Sequence, residues 1–395
     1  MKSLSIASPT RIVLLVIDGL GGLPHPKTGK TELETAKTPN LDKMASSGII
    51  GLSDPVGPGI TPGSAPGHLA LFGYDPLVFP IGRGILEAVG IDFEMQPGDI
   101  ASRGNFCTVD NFGTISDRRA GRISSERAAE LCRLLDGITI ENVKVLVRPV
   151  KEHRFVVVFR GEGLSADLSD SDPQQTGVAP KAVTAVNPGA AKGARIANLF
   201  LEKAKIILAG HHPANMLLLR GFSHCPDWPL MQEIYKLTPG AIAAYPMYRG
   251  LARLVGMEVL QTGSTIDDEF QTLVRNYEKY DFIFLHVKGA DSAGEDGDFE
   301  RKVMVIEQVD KALPGLLNLQ PDVVVVTGDH STPAVIKAHS WHPVPFLLHA
   351  KNCRSVKIKK FGESECSVNG MGRIQGSQLM SLAMAHAFKL NKYGA

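Results

Sequence analysis

Net charge is nearly absent: 42 Lys and Arg stand against 41 Asp and Glu, a formal balance of +1. A chain this evenly balanced lacks the footprint that a nucleic-acid backbone or an anionic membrane selects, and neither partner is predicted. Long apolar runs are missing too, and none approaches the ~20 residues that cross a bilayer. The opening MKSLSIASPTRIVLLVID has a short apolar run that reaches Asp18 without a small-residue cleavage site. It reads as a buried strand, not a secretion signal. The five cysteines, Cys107, Cys132, Cys225, Cys353 and Cys366, are scattered and odd in number, with no C-x-x-C pair. That argues against a disulfide framework and predicts a reduced, cytoplasmic protein. A P-loop is also absent, which disfavours a nucleotide substrate.

What is present is an ordinary globular composition, 44% hydrophobic and 21% charged over 395 residues. That length suits two domains, or one with an insert. Apolar runs over 12–17, 282–287, 323–327 and 344–348 read as strands buried on both faces of a parallel sheet. Helical patterns lie between them. One follows Thr38 as N-cap, with Pro39 at its first position and Gly48 as its stop. Another spans 299–319, where Pro314 should kink or end it, and a third spans 376–390. The fold class expected is α/β, with a mostly parallel central sheet between helices. Residues 89–227 read instead as a smaller inserted α+β domain, with strands at 143–147 and 155–159, leaving 1–88 and 228–395 as the core.

The core strands run into metal-ligating residue types. Asp18 follows the first, Asp291 and Glu295 follow the second, Asp329 and His330 the third, and His339 and His342 precede the fourth. In an open α/β sheet the strand ends form the ligand site, so these groups should converge on one edge. Each pair alone also fits a turn, a cap or a solvated loop. Together they suit Mn²⁺, Zn²⁺ or a related ion. Such a site gives meaning to Ser64 in GITPGSAPGHLALFGYDP, residues 59–76. Ser64 is either a helix N-cap or a nucleophile. A free hydroxyl is a poor nucleophile near neutrality, whereas a coordinated one is activated.

The ordered set V-I-D-G (16–19), T-P-N-L-D (38–42), G-S-A-P-G-H (63–68), D-x-x-x-E (291–295), T-G-D-H (327–330) and A-H-S-W-H-P-V-P (338–345) resembles the alkaline phosphatase superfamily. Within it, the chain is most similar to the short, archaeal-type cofactor-independent phosphoglycerate mutases. FGYDP (72–76) and DRRAGR (117–122) extend the resemblance over nearly the whole chain. It implies an alkaline-phosphatase-like core and two divalent metal ions. Asp18, Ser64, Asp329 and His330 would hold one, and Asp291, residue 295 and His339 the other. Better-known members of the wider family have D-x-x-x-H where this chain has Glu295. The harder donor shifts the expected metal toward Mn²⁺ or Mg²⁺, with Co²⁺ or Zn²⁺ as alternatives, and leaves His342 as a supporting or replacement ligand.

The resemblance further implies that Ser64 takes the phosphoryl group of 3-phosphoglycerate, forms phosphoserine, and returns the group to the 2-hydroxyl without 2,3-bisphosphoglycerate. Arg103, Arg118, Arg119 and Arg122 of the insert, with Arg220, would grip carboxylate and phosphate. Asp117 would accept a proton; His68 and Lys288 would touch the substrate. Alternatives that keep the same core are a homoserine-kinase-like phosphotransferase and a metal-dependent phosphatase. A metal-bound protein without activity is disfavoured by Ser64 standing with the full ligand set. A homo-oligomer is left open.

Overall fold

The computed structural model describes residues 1–354 and 358–394. The chain divides into two compact units, Met1–Pro80 with Trp228–Ala395, and Ile81–Asp227.

The first unit is built on an eight-stranded sheet, in the order Glu258–Val259, Pro239–Ile242, Phe282–Val287, Ile12–Ile17, Val323–Thr327, Val344–Ala350, Ile49–Asp54 and Arg373–Gln375. The first five run parallel. Val344–Ala350 then runs antiparallel to both neighbours, and the edge strand Arg373–Gln375 is parallel to Ile49–Asp54. All six residues of Ile12–Ile17 are buried, as a central strand covered on both faces requires. Helix Phe299–Leu317 presents Val303, Ile306, Val309, Leu313 and Leu316 to this core at spacings of three and four. Each such fully buried side chain contributes about 1.5–3 kcal/mol. Pro314 falls in the last turn of this helix, which ends three residues later without breaking earlier.

Helix Pro39–Ser47 begins with Pro39 and ends at Gly48 as expected, but Thr38 makes no side-chain capping bond. The long helix supplies the cap instead. The Asp310 carboxylate accepts from the backbone N–H groups of Asn40 at 3.2 Å and Leu41 at 2.8 Å. The last helix is shorter than its pattern suggested, Gln378–His386.

The second unit is an antiparallel sheet ordered Ile115–Asp117, Ile100–Val109, Arg154–Arg160, Val143–Lys151 and Ile138–Ile140. Met216–His224 also pairs with Ile100–Val109. Helices Ser125–Leu135 and Ala191–Leu208 cover a separate apolar core. This unit starts at Ile81, because helix Arg83–Val89 packs on Ile100–Val109 and Met216–His224.

Candidate active site

Asp18 leaves the C-terminal end of Ile12–Ile17, and Asp329 and His330 leave that of Val323–Thr327. Asp291 stands on helix Gly289–Asp296, which follows Phe282–Val287. His339 precedes Val344–Ala350; because that strand is antiparallel, its start lies at the same sheet edge. Ser64 is the first residue of helix Ser64–Leu71, whose N-cap is Gly63. Its hydroxyl is therefore not consumed as a cap, and Ser64 Oγ lies 3.2 Å from His330 Nε2. The helix comes this close because Gly67 has no side chain: a Cβ there would stand 2.2 Å from the Asp329 carbonyl oxygen.

Hydrogen bonding fixes which nitrogen of each histidine faces the centre. The Thr332 hydroxyl donates to Asp291 Oδ1 at 2.7 Å, so it must accept from His330 Nδ1 at 2.9 Å. His330 Nε2 is then a bare acceptor in the neutral ring. It faces Asp329 Oδ2 at 3.2 Å and Asp18 Oδ1 at 3.3 Å, two oxygens that can only accept when ionised. His339 Nδ1 donates to the Pro62 carbonyl at 3.0 Å, turning Nε2 toward Asp291 Oδ1 at 3.5 Å and Glu295 Oε1 at 3.7 Å.

The electrostatics follow from burial and crowding. Burial alone would raise the Asp18 carboxyl, but the hydrogen bond and charge of His286, with Lys288 and His330, hold it well below its ordinary range. Asp329 is pushed upward by burial and by the Asp18 charge beside it. Burial opposes ionisation of Asp291, yet its bond to His339 and the charges of Lys288 and His330 hold it low. Burial also depresses His330. His339 rises to about 9 despite burial, through Asp291 and the Pro62 carbonyl.

Two groups of donors fit a metal: Asp18, Asp329 and His330, and Asp291, His330 and His339. Within the first, Asp18 Oδ1 and Asp329 Oδ2 are buried with no hydrogen-bond partner among the described residues. Two orphaned carboxylate oxygens converging on a bare imidazole nitrogen are a donor set that fits a divalent ion with oxygen and nitrogen ligands.

The other expected residues are placed as follows. His68, expected to touch substrate, is fully buried beneath the site; its Nδ1 donates to the Ser64 carbonyl at 2.8 Å and lies 3.2 Å from Asp329 Oδ2. Burial lowers it to about 4, so it positions Ser64 and Asp329 as a neutral ring. Lys288 is engaged by carboxylates, with Nζ 3.1 Å from Asp18 Oδ2 and paired with Asp291. Glu295 is half exposed at the rim beside His339. His342 lies outside both donor groups; its ring stacks on Trp341 and its carbonyl accepts from Ser331 Oγ. Tyr248 and His286, both unforeseen, donate to Asp18 Oδ2. His286 carried a signal, one polar residue inside an otherwise apolar strand. Tyr248 carried none.

In the second unit, Arg118 forks onto the buried Asp172 at 3.1 and 2.7 Å. Its guanidinium is thereby occupied within the unit. Arg103 pairs across the sheet with Arg220 and stands 3.3 Å from Glu87. Burial lowers Arg103, and the charges of Arg154, Arg83 and Arg220 add to that. Arg83 and Arg154 thus join a cationic group that the sequence did not disclose. Arg220 also donates to Gln174, and Arg122 is mostly exposed, 4.0 Å from Glu152. Asp117 accepts from the backbone N–H groups of Arg119 and Gly121.

A sequence profile for the family described as 2,3-bisphosphoglycerate-independent phosphoglycerate mutase matches residues 45–215. A Thermosipho africanus protein called a probable 2,3-bisphosphoglycerate-independent phosphoglycerate mutase is 52% identical over 98% of this chain and 96% of its own. A Thermus thermophilus protein of the same description is 49% identical over 100% and 98%. Among solved structures, the cofactor-independent phosphoglycerate mutase of Thermoplasma acidophilum matches with a TM-score of 0.79 and 30% identity, over 95% of this chain and 100% of that one.

Proposed function

We propose, from the premise that this chain belongs to the 2,3-bisphosphoglycerate-independent phosphoglycerate mutase family, that Ser64 carries the phosphoryl group from one glycerate hydroxyl to the other. The chain is an enzyme that interconverts 3-phosphoglycerate and 2-phosphoglycerate without 2,3-bisphosphoglycerate, and it is one served by divalent metal ions. Asp18, Asp329 and His330 would hold one ion beside Ser64, and Asp291 and His339, with Glu295 at the rim, the other; manganese is the metal this oxygen-rich set favours. Bound there, such ions lower the pKa of the serine hydroxyl and draw charge from the phosphoryl oxygens.

The chain's own residues do the rest. Ser64 Oγ attacks phosphorus while the bond to the glycerate 3-oxygen breaks, and that oxygen takes up the proton that the Ser64 hydroxyl gives up. Glycerate turns without leaving. Its 2-hydroxyl loses a proton to Asp117 and attacks the Ser64-bound phosphorus, the bond to Oγ breaks, and Oγ regains the proton that Asp117 took. No atom enters or leaves over the cycle. His68 and His330 hold Ser64 from opposite ends, through its carbonyl and its hydroxyl. Arg103, Arg119, Arg122 and Arg220, joined by Arg83 and Arg154, bind the substrate's carboxylate and phosphate. Arg118 is committed to Asp172 and supports that group indirectly.

The observation that carries this reading is the Ser64 hydroxyl, not used as a helix cap and 3.2 Å from His330 Nε2, beside the Asp18 and Asp329 oxygens that have no hydrogen-bond partner among the described residues. The test is 3-phosphoglycerate turnover with Mn²⁺ and no 2,3-bisphosphoglycerate, followed by ³¹P NMR, with acid quench and mass spectrometry of the peptide bearing residue 64. Wild type should give 2-phosphoglycerate and a phosphorylated Ser64, and Ser64→Ala neither. A Ser64→Ala enzyme near the wild-type rate sinks the proposal.

A further inference from the structure

We infer that Thr332 is a positioning residue that joins the two metal-ligand sets into one mechanical unit; this rests on the metal-centre reading given above. Its hydroxyl proton goes to Asp291 Oδ1 at 2.7 Å, and its lone pair receives His330 Nδ1–H at 2.9 Å. Asp291 belongs to one set, while His330, a donor in both, is met by Ser64, Asp18 and Asp329 in the other. A single oxygen therefore fixes the rotamer of one ligand and the tautomer of another.

Thr332 is itself held from several sides. Its carbonyl accepts from the fully buried Lys302 Nζ at 2.9 Å, and the same ammonium reaches the Gly21 carbonyl at 2.9 Å. The Thr332 N–H donates to the Gly21 carbonyl at 3.1 Å. Glu32, 3.8 Å from Lys302 Nζ, accepts from the Ala334 N–H at 2.8 Å. The loops after the first strand and after Val323–Thr327 are thus tied to the long helix. Gly19, at φ +66°, leaves room for the hydroxyl: a Cβ there would stand 2.7 Å from Thr332 Oγ1. These backbone bonds do not involve the hydroxyl, so replacing it tests the bridge and leaves its supports in place.

The experiment titrates chelator-stripped full-length protein with Mn²⁺ by calorimetry, with free Mn²⁺ read by electron paramagnetic resonance. Wild type is compared with Thr332→Val, Thr332→Ala and Thr332→Ser. Circular dichroism and tryptophan fluorescence establish that each variant folds. The Val and Ala variants should bind at least ~10-fold more weakly at both sites, and the Ser variant within about 3-fold of wild type, since ligand-supporting partners set metal affinity on that scale. Affinities within about 3-fold for Val and Ala overturn the inference, as does a loss confined to one site, or a Ser variant as weak as Val. If Val does not fold, the Ala and Ser pair decides. If neither hydroxyl-free variant folds, Thr332 serves stability alone and the inference falls. A wild type that binds fewer than two Mn²⁺ ions overturns the metal-centre reading itself, and this inference with it. Two ions bound alike by wild type and Thr332→Val overturn only the bridge.

Discussion

Replacing Glu269 by glutamine should flatten the dependence of this protein's stability on pH. Glu269 lies in the first turn of helix Ile266–Asn276, is 4% exposed, and accepts one backbone N–H, from Ala244 at 3.3 Å. Burial pushes its carboxyl from 4.5 up to about 8, with relief from the Ala244 N–H and a further push from Asp268. Between those two values the folded chain holds a proton that the unfolded chain has released. Stability therefore falls as pH rises through the window, by ~1.4 kcal/mol per pH unit and ~5 kcal/mol in all, and levels off above pH ~8. Glutamine cannot ionise and keeps an oxygen for the Ala244 N–H. Subtracting one profile from the other cancels every other titrating group. The variant should gain about 2–3 kcal/mol on wild type between about pH 6 and 8, and lie near it at about pH 5. Both tryptophans, Trp228 and Trp341, belong to the unit that carries Glu269. Urea unfolding followed by their fluorescence across this pH range therefore reads the right transition. Parallel profiles for the two proteins would refute the reasoning and mean that Glu269 is ionised in the fold.

Mn²⁺ affinity should rise with pH until about 9, because His339 must lose the proton that Asp291 and the Pro62 carbonyl stabilise before it can ligate; calorimetry in buffers of different ionisation enthalpy should detect the released proton. Lowering pH through the same range should weaken binding, and excess Mn²⁺ should partly restore activity. Arg103→Ala should lower mutase turnover and raise the ratio of free phosphate to 2-phosphoglycerate, both read by ³¹P NMR. Arg118→Ala should act first on stability: it leaves the buried Asp172 carboxylate without its partner, at a cost of ~2 kcal/mol once the exposure of Arg118 is discounted. Calorimetry should show this as a lowered transition of the inserted unit.

The sequence by itself determined the buried strands, because a run such as Ile12–Ile17 can satisfy its apolar side chains only between two covered faces. It also placed Asp18, Asp329 and Asp291 at one sheet edge, since parallel strands share a direction and the residue after each exits on the same side. Composition and spacing sufficed there because the information is local. His339 reaches that edge only because Val344–Ala350 runs antiparallel, and no property of those residues states a direction. The freedom of the Ser64 hydroxyl depended on which residue the helix start selected as its cap, and the answer was Gly63. Asp310, 270 residues from Asn40 whose N–H it accepts, takes the capping role expected of Thr38. Tyr248 and Lys288 on Asp18, His68 beneath Ser64, and Thr332 between His330 and Asp291 are pairings of the same kind. A hydrogen bond is set by position and orientation in space, and those are settled only when distant segments pack. Burial then decides what each group does, by removing the water that would otherwise serve as its partner.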